Sequence, residues 1–364
     1  MKLKSERSVM ILAIALTTSA IRATLLARVW ILLAIGLIAD NFATALIGLN
    51  RHAVAQRWSS ELIAMLPSSL HEFVDKAWVG PLGLAAPFLN LTEAHDFYDI
   101  LLAILGIIVT LSIWGLIGSA ICRIAVTRIA DVPIPGVRSS IRYVVQQRIT
   151  ILGAICMPIC LIIIMSTIVL LMGLITKTPY VGPIAAWIML PLALIPAVTL
   201  LITLLSCIFG WPMIMGAAVT EGDDMFDALS RSQCYLFQAP VSWALTLKVG
   251  ILMQAIGYAS IQAVSWALIC ILTSSFHNSR LTSTPFEFKW FSKLPTPWTM
   301  PEISSNAFST WISIITHLAA SWPIGFAFVF PAAIYLTLRN RVDGIAPTDV
   351  YWPGKPEGEF AGRI

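Results

Sequence analysis

The stretch ITILGAICMPICLIIIMSTIVLLMGLITKTPYVGPIAAWIMLPLALIPAVTLLITLLSCIFGWPMIMGAAVT, residues 149–220, runs 72 residues with one formal charge, Lys177. No soluble domain can hide that much apolar sequence in one place. A bilayer can, at about 20 apolar helical residues per crossing. Helices are expected because lipid offers backbone N–H and C=O groups no partners. The run therefore reads as two crossings, 149–175 and 184–219, joined by a short turn at Thr178-Pro179-Tyr180-Val181-Gly182-Pro183. The second arm is longer than a membrane requires and contains Pro191, Pro196, Gly210 and Pro212. Kinks are expected there, or a break near Gly210-Trp211-Pro212.

The rest of the chain follows the same pattern. Charged residues make up 12% and hydrophobic residues 58%, and mean hydropathy is +0.84. Four more apolar runs fall at 29–49, 100–122, 241–272 and 308–338. The expected fold is an all-α, polytopic transmembrane helix bundle of about six spans, one domain over 1–338, with a tail at 339–364. Pro347, Pro353 and Pro356 make that tail extended or disordered. The net charge of +4 argues against a nucleic-acid partner, which needs a basic patch. The six cysteines avoid the long polar loops 51–99 and 279–302, the opposite of a disulfide-stapled exported domain.

Amphipathic segments interrupt the spans. Residues 59–78 carry Leu62, Ile63, Leu66, Leu70, Phe73 and Val74 at helical spacing, as in a helix lying on a membrane surface. The basic connector 123–150 holds Arg123, Arg128, Arg138, Arg142 and Arg148 against one acid, Asp131. Within it, Val137, Ile141, Val144 and Val145 recur at helical spacing, with Arg138 and Arg142 off the stripe. A short interfacial helix facing anionic headgroups is expected. An acidic connector runs from Thr220 to Pro240, and Thr220 with Asp223 three residues on resembles a capping box. The order span, amphipathic connector, span occurs twice, over 100–175 and 184–272. At the N-terminus, Lys2, Lys4 and Arg7 precede an apolar run, which reads as an uncleaved interfacial helix or, alternatively, a cleaved signal.

Lysines and arginines near the spans set the orientation. They cluster at the N-terminus, in the 123–150 connector, and at Arg339 and Arg341. With six spans these fall on one side, the cytoplasm, together with both termini.

One segment carries a resemblance. It reads Gly210-Trp211-Pro212, an Ala-rich turn, Glu221-Gly222, Asp227-Ala228-Leu229-Ser230-Arg231-Ser232, then Tyr235-Leu236-Phe237-Gln238-Ala239-Pro240. It resembles a segment of large uncharacterised bacterial multi-pass inner-membrane proteins. Tyr335-Leu336-Thr337-Leu338-Arg339 with Val342-Asp343-Gly344 resembles their C-terminal end. A looser version is similar to the membrane domain attached to some glycerophosphodiester phosphodiesterases. The chain has no counterpart to the catalytic domain of those enzymes, and Ala239 stands where the pattern has an arginine. The resemblance implies fold and a bacterial inner-membrane location, and no reaction.

Ionisable residues inside spans are the first functional suspects. Asp40 and His317 each lie about nine residues from the outer end of a span, at similar depth, near 14 Å by helical rise. Such a pair could relay protons or hold a cation; the plainer reading makes Asp40 a satisfied contact between helices. Lys248 is expected to snorkel to the headgroups. Glu221, Asp223, Asp224 and Asp227 suit the positive end of a helix dipole better than a metal, and Asp227 can pair with Arg231 at i,i+4. Glu221, Asp223, Asp224 and Arg231 are the expected contacts for a cytoplasmic partner. The five histidines show no metal-ligand spacing, no cofactor motif is present, and no catalytic constellation appears. The expected role is structural, regulatory or assembly-related, through protein or lipid partners and without enzymatic activity. The alternative is a transporter or channel using the broken fourth helix and Asp40 with His317.

Overall fold

A computed structural model describes residues 2–47, 91, 96–178, 182–222, 224–276, 312, 314–316 and 318–350. The expected surface helix at 59–78, the loop 277–306, His317 and Asp223 lie outside them. Among the described residues the chain is all-α. Its helices are α1 (Lys2–Thr24), α2 (Ala27–Ile47), α3 (Phe97–Ile129), α4 (Val137–Gln146), α5 (Arg148–Thr176), α6 (Gly182–Glu221), α7 (Met225–Gln238), α8 (Pro240–Phe276) and α9 (Trp322–Asp343). Among the described residues six stretches are long and apolar enough to cross a membrane: Ala27–Ile47, Phe97–Ile129, Arg148–Thr176, Ala185–Cys207, Pro240–Leu272 and Ile314–Asp343.

The expected spans match these elements, with four corrections. The second span continues past Cys122 to Ile129, so Arg123 belongs to a helix and not to the connector. The fourth is a single helix with no break at Gly210-Trp211-Pro212. In lipid the i–4 ladder is worth keeping even around proline, because water cannot replace a lost bond. The last helix runs on through Arg339 to Asp343 and is closed by Gly344 in the left-handed conformation (φ 70°). The residues beyond fold back, so that Val350 is buried and the start of the tail is ordered packing. Finally, α1 does not lie apart on a surface. It packs lengthwise against α9, α8 and α3, with Ala13, Thr17, Ala20 and Ala23 fully buried.

α9 is the axis of the bundle. It contacts α1, α3, α6 and α8 extensively, and nearly every residue from Trp322 to Arg339 is buried. Its large side chains fit against small residues of its neighbours. Phe328 covers Gly118 of α3, Phe330 covers Gly250 of α8, and Trp322 covers Gly257 one helical repeat further along α8. Pro331 and Tyr335 close on Gly216 of α6. Helices in lipid gain no hydrophobic drive from meeting one another, so close packing at small residues supplies the association.

α5 and α6 form a hairpin built into the bundle at one end only. Ile151, Ala154, Ile155 and Pro158 of α5 and Met213 to Thr220 of α6 are buried there. Farther out the pair exposes Ile163, Leu170, Trp187, Leu190 and Ile195, an apolar surface suited to lipid. At the built-in end lie both short amphipathic helices, α4 and α7, so the order helix, short helix, helix occurs twice. Arg28 pins the α3–α4 junction to the start of α2, donating to the carbonyls of Ile134 (2.7 Å) and Pro135 (2.9 Å).

Candidate functional site

The connector end of the bundle carries a partly buried charge cluster centred on Glu221, the last residue of α6. Its carboxylate accepts a hydrogen bond from Tyr335 Oη of α9 at 2.7 Å. Arg339, one turn further along α9, places Nε 2.9 Å from Glu221 Oε1. Arg231 of α7 reaches Oε2 at 3.6 Å and also pairs with Asp227 at 2.8 Å, the expected i,i+4 contact. Tyr235 donates to the Asp343 carboxylate, and its ring tilts against that of Tyr335 at 5.7 Å between centroids. Arg339 also donates to the Asp349 carbonyl at 2.6 Å, which draws the returning tail into the cluster. The end of α6 and the adjoining α7 are thereby fastened to the end of α9, more than a hundred residues further along the chain.

The electrostatics follow from this packing. Burial would lower the Arg231 pKa, but the hydrogen bond to Asp227 and the charge of Glu221 outweigh it and raise the value above the ordinary one, so the guanidinium stays charged. Burial, then the bond to Asp343, pushes the Tyr235 phenol well above its usual range. Glu221 and Asp227 are paired with Arg231 and Arg339, and Asp343 accepts from Tyr235. Breaking one partner of such a set is costly, although the set as a whole contributes little net stability.

A second contact set abuts the first. Arg123 of α3, only 2% exposed, donates to the Val219 carbonyl at 2.9 Å, two residues before Glu221. Its guanidinium stacks over the ring of Tyr143 of α4 at 4.4 Å, and the Tyr143 hydroxyl donates to the same carbonyl at 3.4 Å. Carbonyls in the last turn of a helix lack helical partners, so an arginine and a tyrosine close the end of α6 and fix α4 to it.

The expected partner contacts separate. Glu221 and Arg231 are engaged in the cluster, Arg231 with about a third of its side chain still exposed, and Asp224 is exposed. Asp224, not Thr220, is the N-cap of α7, accepting from Met225 N at 2.7 Å. Thr220 is buried within α6, because the helix continues one residue past it. Lys248 is exposed on α8.

Asp40 is 1% exposed, on the face of α2 that meets α3. Trp114 Nε1 donates to its Oδ2 at 2.8 Å, and Thr110 lies 3.5 Å from Oδ1. Gly36, one turn earlier, leaves room for the indole, and Trp114 stacks on Phe328 of α9 with centroids 5.0 Å apart. The carboxylate thus fastens α2, through Trp114, to the axis helix. Asp40→Ala leaves the indole N–H unpaired and is expected to cost about 1–3 kcal/mol. A drop in the apparent unfolding temperature of purified protein, reduced in Asp40→Asn, checks this. Unchanged stability in Asp40→Ala would remove the fastening role.

Sequence reasoning did not single out Arg123, Tyr143, Tyr235 or Asp343 as site residues. One signal was present for Arg123, the first charge after a charge-free span, but its position read as connector. The end of α6 with α7 and the end of α9, residues 210–240 and 335–344, meet at the Glu221 cluster. Neither a family model, a curated protein nor a solved structure matches the chain.

Proposed function

We propose that this protein is a non-catalytic component of a bacterial inner membrane, structural, regulatory or assembly-related in role, working through a protein partner and lipid. The observation that carries this reading is the Glu221 cluster. Its arginines and carboxylates are engaged in holding these helix ends together. What the cluster holds still is α7, whose outer side presents Phe226 (51% exposed) and Phe237 (59% exposed), eleven residues or three turns apart. Exposed aromatics on a rigid helix are the usual anchors of a protein contact. The resemblance of 210–240 and 335–344 to uncharacterised inner-membrane proteins agrees with a role of this kind. Positive charge at the N-terminus, on the 123–150 connector and at Arg339 and Arg341 supports cytoplasmic termini, the acidic 220–240 connector weighing little in that rule.

The transporter alternative needs a broken fourth helix and a polar path through Asp40. α6 runs unbroken, and Asp40 is engaged by Trp114, which leaves that reading the weaker.

Pulldown of full-length protein in mild detergent, followed by mass spectrometry, tests the proposal. A stable cytoplasmic protein should be retained and then lost in Phe226→Ser/Phe237→Ser, with the unfolding temperature unchanged. Recovery of the free protein alone would remove the basis for a partner. Retention of a protein from the opposite side of the membrane would reverse the orientation.

A further inference from the structure

α4 is held at one roll angle. Its inner side carries Ser140 and Val144, both buried, and Tyr143, locked between Arg123 and the Val219 carbonyl. At about 100° per residue, this puts Arg138 and Arg142 along the middle of the outward face and Ile141 and Val145 along the edge beside them. All four are exposed. Ile149, in the first turn of α5 and 75% exposed, extends the apolar edge toward the bare apolar side of the α5–α6 hairpin. Among the described residues, neither Arg138 nor Arg142 is paired with an acid.

We propose that this face is a binding site for an anionic phospholipid of the host bilayer. The phosphate would lie between Arg138 and Arg142, and the acyl chains along Ile141, Val145 and Ile149. Two observations favour lipid over protein. The unpaired arginines call for an anion, and the apolar edge is continuous with a surface already suited to acyl chains. Because Tyr143 and Arg123 also grip Val219, the occupant braces the end of α6 that carries Glu221. The site deepens the reading of the connector end as an inner-membrane surface and rests on it.

The test uses full-length protein in mild detergent, titrated with phosphatidylglycerol or with phosphatidylcholine of the same acyl chains. Bound lipid is read by native mass spectrometry, and stability by apparent unfolding temperature. The wild type should retain phosphatidylglycerol in preference and be stabilised by it. Arg138→Gln/Arg142→Gln should weaken that retention about 30-fold, from the usual effect of two surface cations, and leave phosphatidylcholine unchanged. Ile141→Ser/Val145→Ser should weaken both lipids. Both variants should unfold at the wild-type temperature without lipid, since all four side chains are exposed.

Equal retention of the two lipids by the wild type overturns the proposal. So does undiminished phosphatidylglycerol retention in the arginine variant, or full displacement by glycerol phosphate, which would leave the apolar edge without a role. Loss of a co-purifying protein in the arginine variant, with lipid retention intact, would assign the face to a protein instead. Loss of lipid preference with the α7 pulldown intact sinks the lipid site alone. Failure of the pulldown with lipid preference intact sinks only the protein partner.

Discussion

Glu221→Ala is expected to lower the stability of the purified protein by about 3–5 kcal/mol, the usual consequence of removing one partner from a buried ion pair. The Glu221 side chain is 11% exposed and that of Arg339 6%, so neither has water to fall back on. Removing the carboxylate leaves Arg339 without its anion and Tyr335 without its acceptor, and it loosens Arg231. The penalty comes from the orphaned groups rather than from the lost attraction. The apparent unfolding temperature should fall by on the order of 10 °C. Glu221→Gln combined with Arg339→Met should recover much of the loss, because replacing both partners of a buried pair is often nearly neutral. A double-mutant cycle measures the coupling directly. If Glu221→Ala unfolds no earlier than wild type, the cluster does not hold these helix ends.

The second large effect is steric. A Cβ on Gly216 would stand 2.6 Å from the carbonyl oxygen of Pro331 and 2.8 Å from Tyr335 Cβ. The obstacle is partly backbone, so no rotamer change relieves it and α9 itself must move. Gly216→Val adds two γ-carbons to the same place. It is expected to cost at least the roughly 1–3 kcal/mol typical of overpacking, and to separate α6 from α9. Since Gly216 lies five residues before Glu221, this should also pull the carboxylate away from Tyr335 and Arg339. The Gly216→Val and Glu221→Ala losses should therefore be less than additive. Gly173, in the exposed part of α5, provides the contrast, because nothing lies within 4 Å of its added Cβ. Gly173→Ala should leave stability unchanged or slightly higher, as helix propensity favours alanine. Size-exclusion profiles and unfolding temperatures of the two variants settle the comparison. A monodisperse Gly216→Val protein with wild-type stability would show that α6 and α9 are not seated by this contact.

Much of the architecture is legible segment by segment, because a bilayer imposes local requirements. A crossing must be long, apolar and helical whatever surrounds it, so the apolar runs map onto the observed helices within a few residues at most ends. α4 is legible from its 3.6-residue pattern, and the Asp227–Arg231 pair from its spacing alone. The boundaries that failed are those where tertiary contacts replaced solvent. Arg123 reads as the end of a span because a cation should seek water; it stays inside because the Val219 carbonyl and the Tyr143 ring receive it. Arg339 reads as the start of a tail and is instead a buried partner of Glu221.

The sequence by itself determined that this chain folds into membrane-length helices joined by amphipathic connectors. Each of those properties resides within some twenty residues and answers to lipid and water alone. Only the tertiary structure decided which helix is the axis, why α1 is built into the bundle, and what Glu221 is for. Helices that are apolar on every side carry no stripe to say which face meets protein and which meets lipid. The Glu221 cluster joins residues 114 and 118 positions apart, and Arg123 reaches its carbonyl across 96. Such pairings depend on the order in which the helices pack, and that order is set by where Gly118, Gly216, Gly250 and Gly257 admit the large side chains of α9.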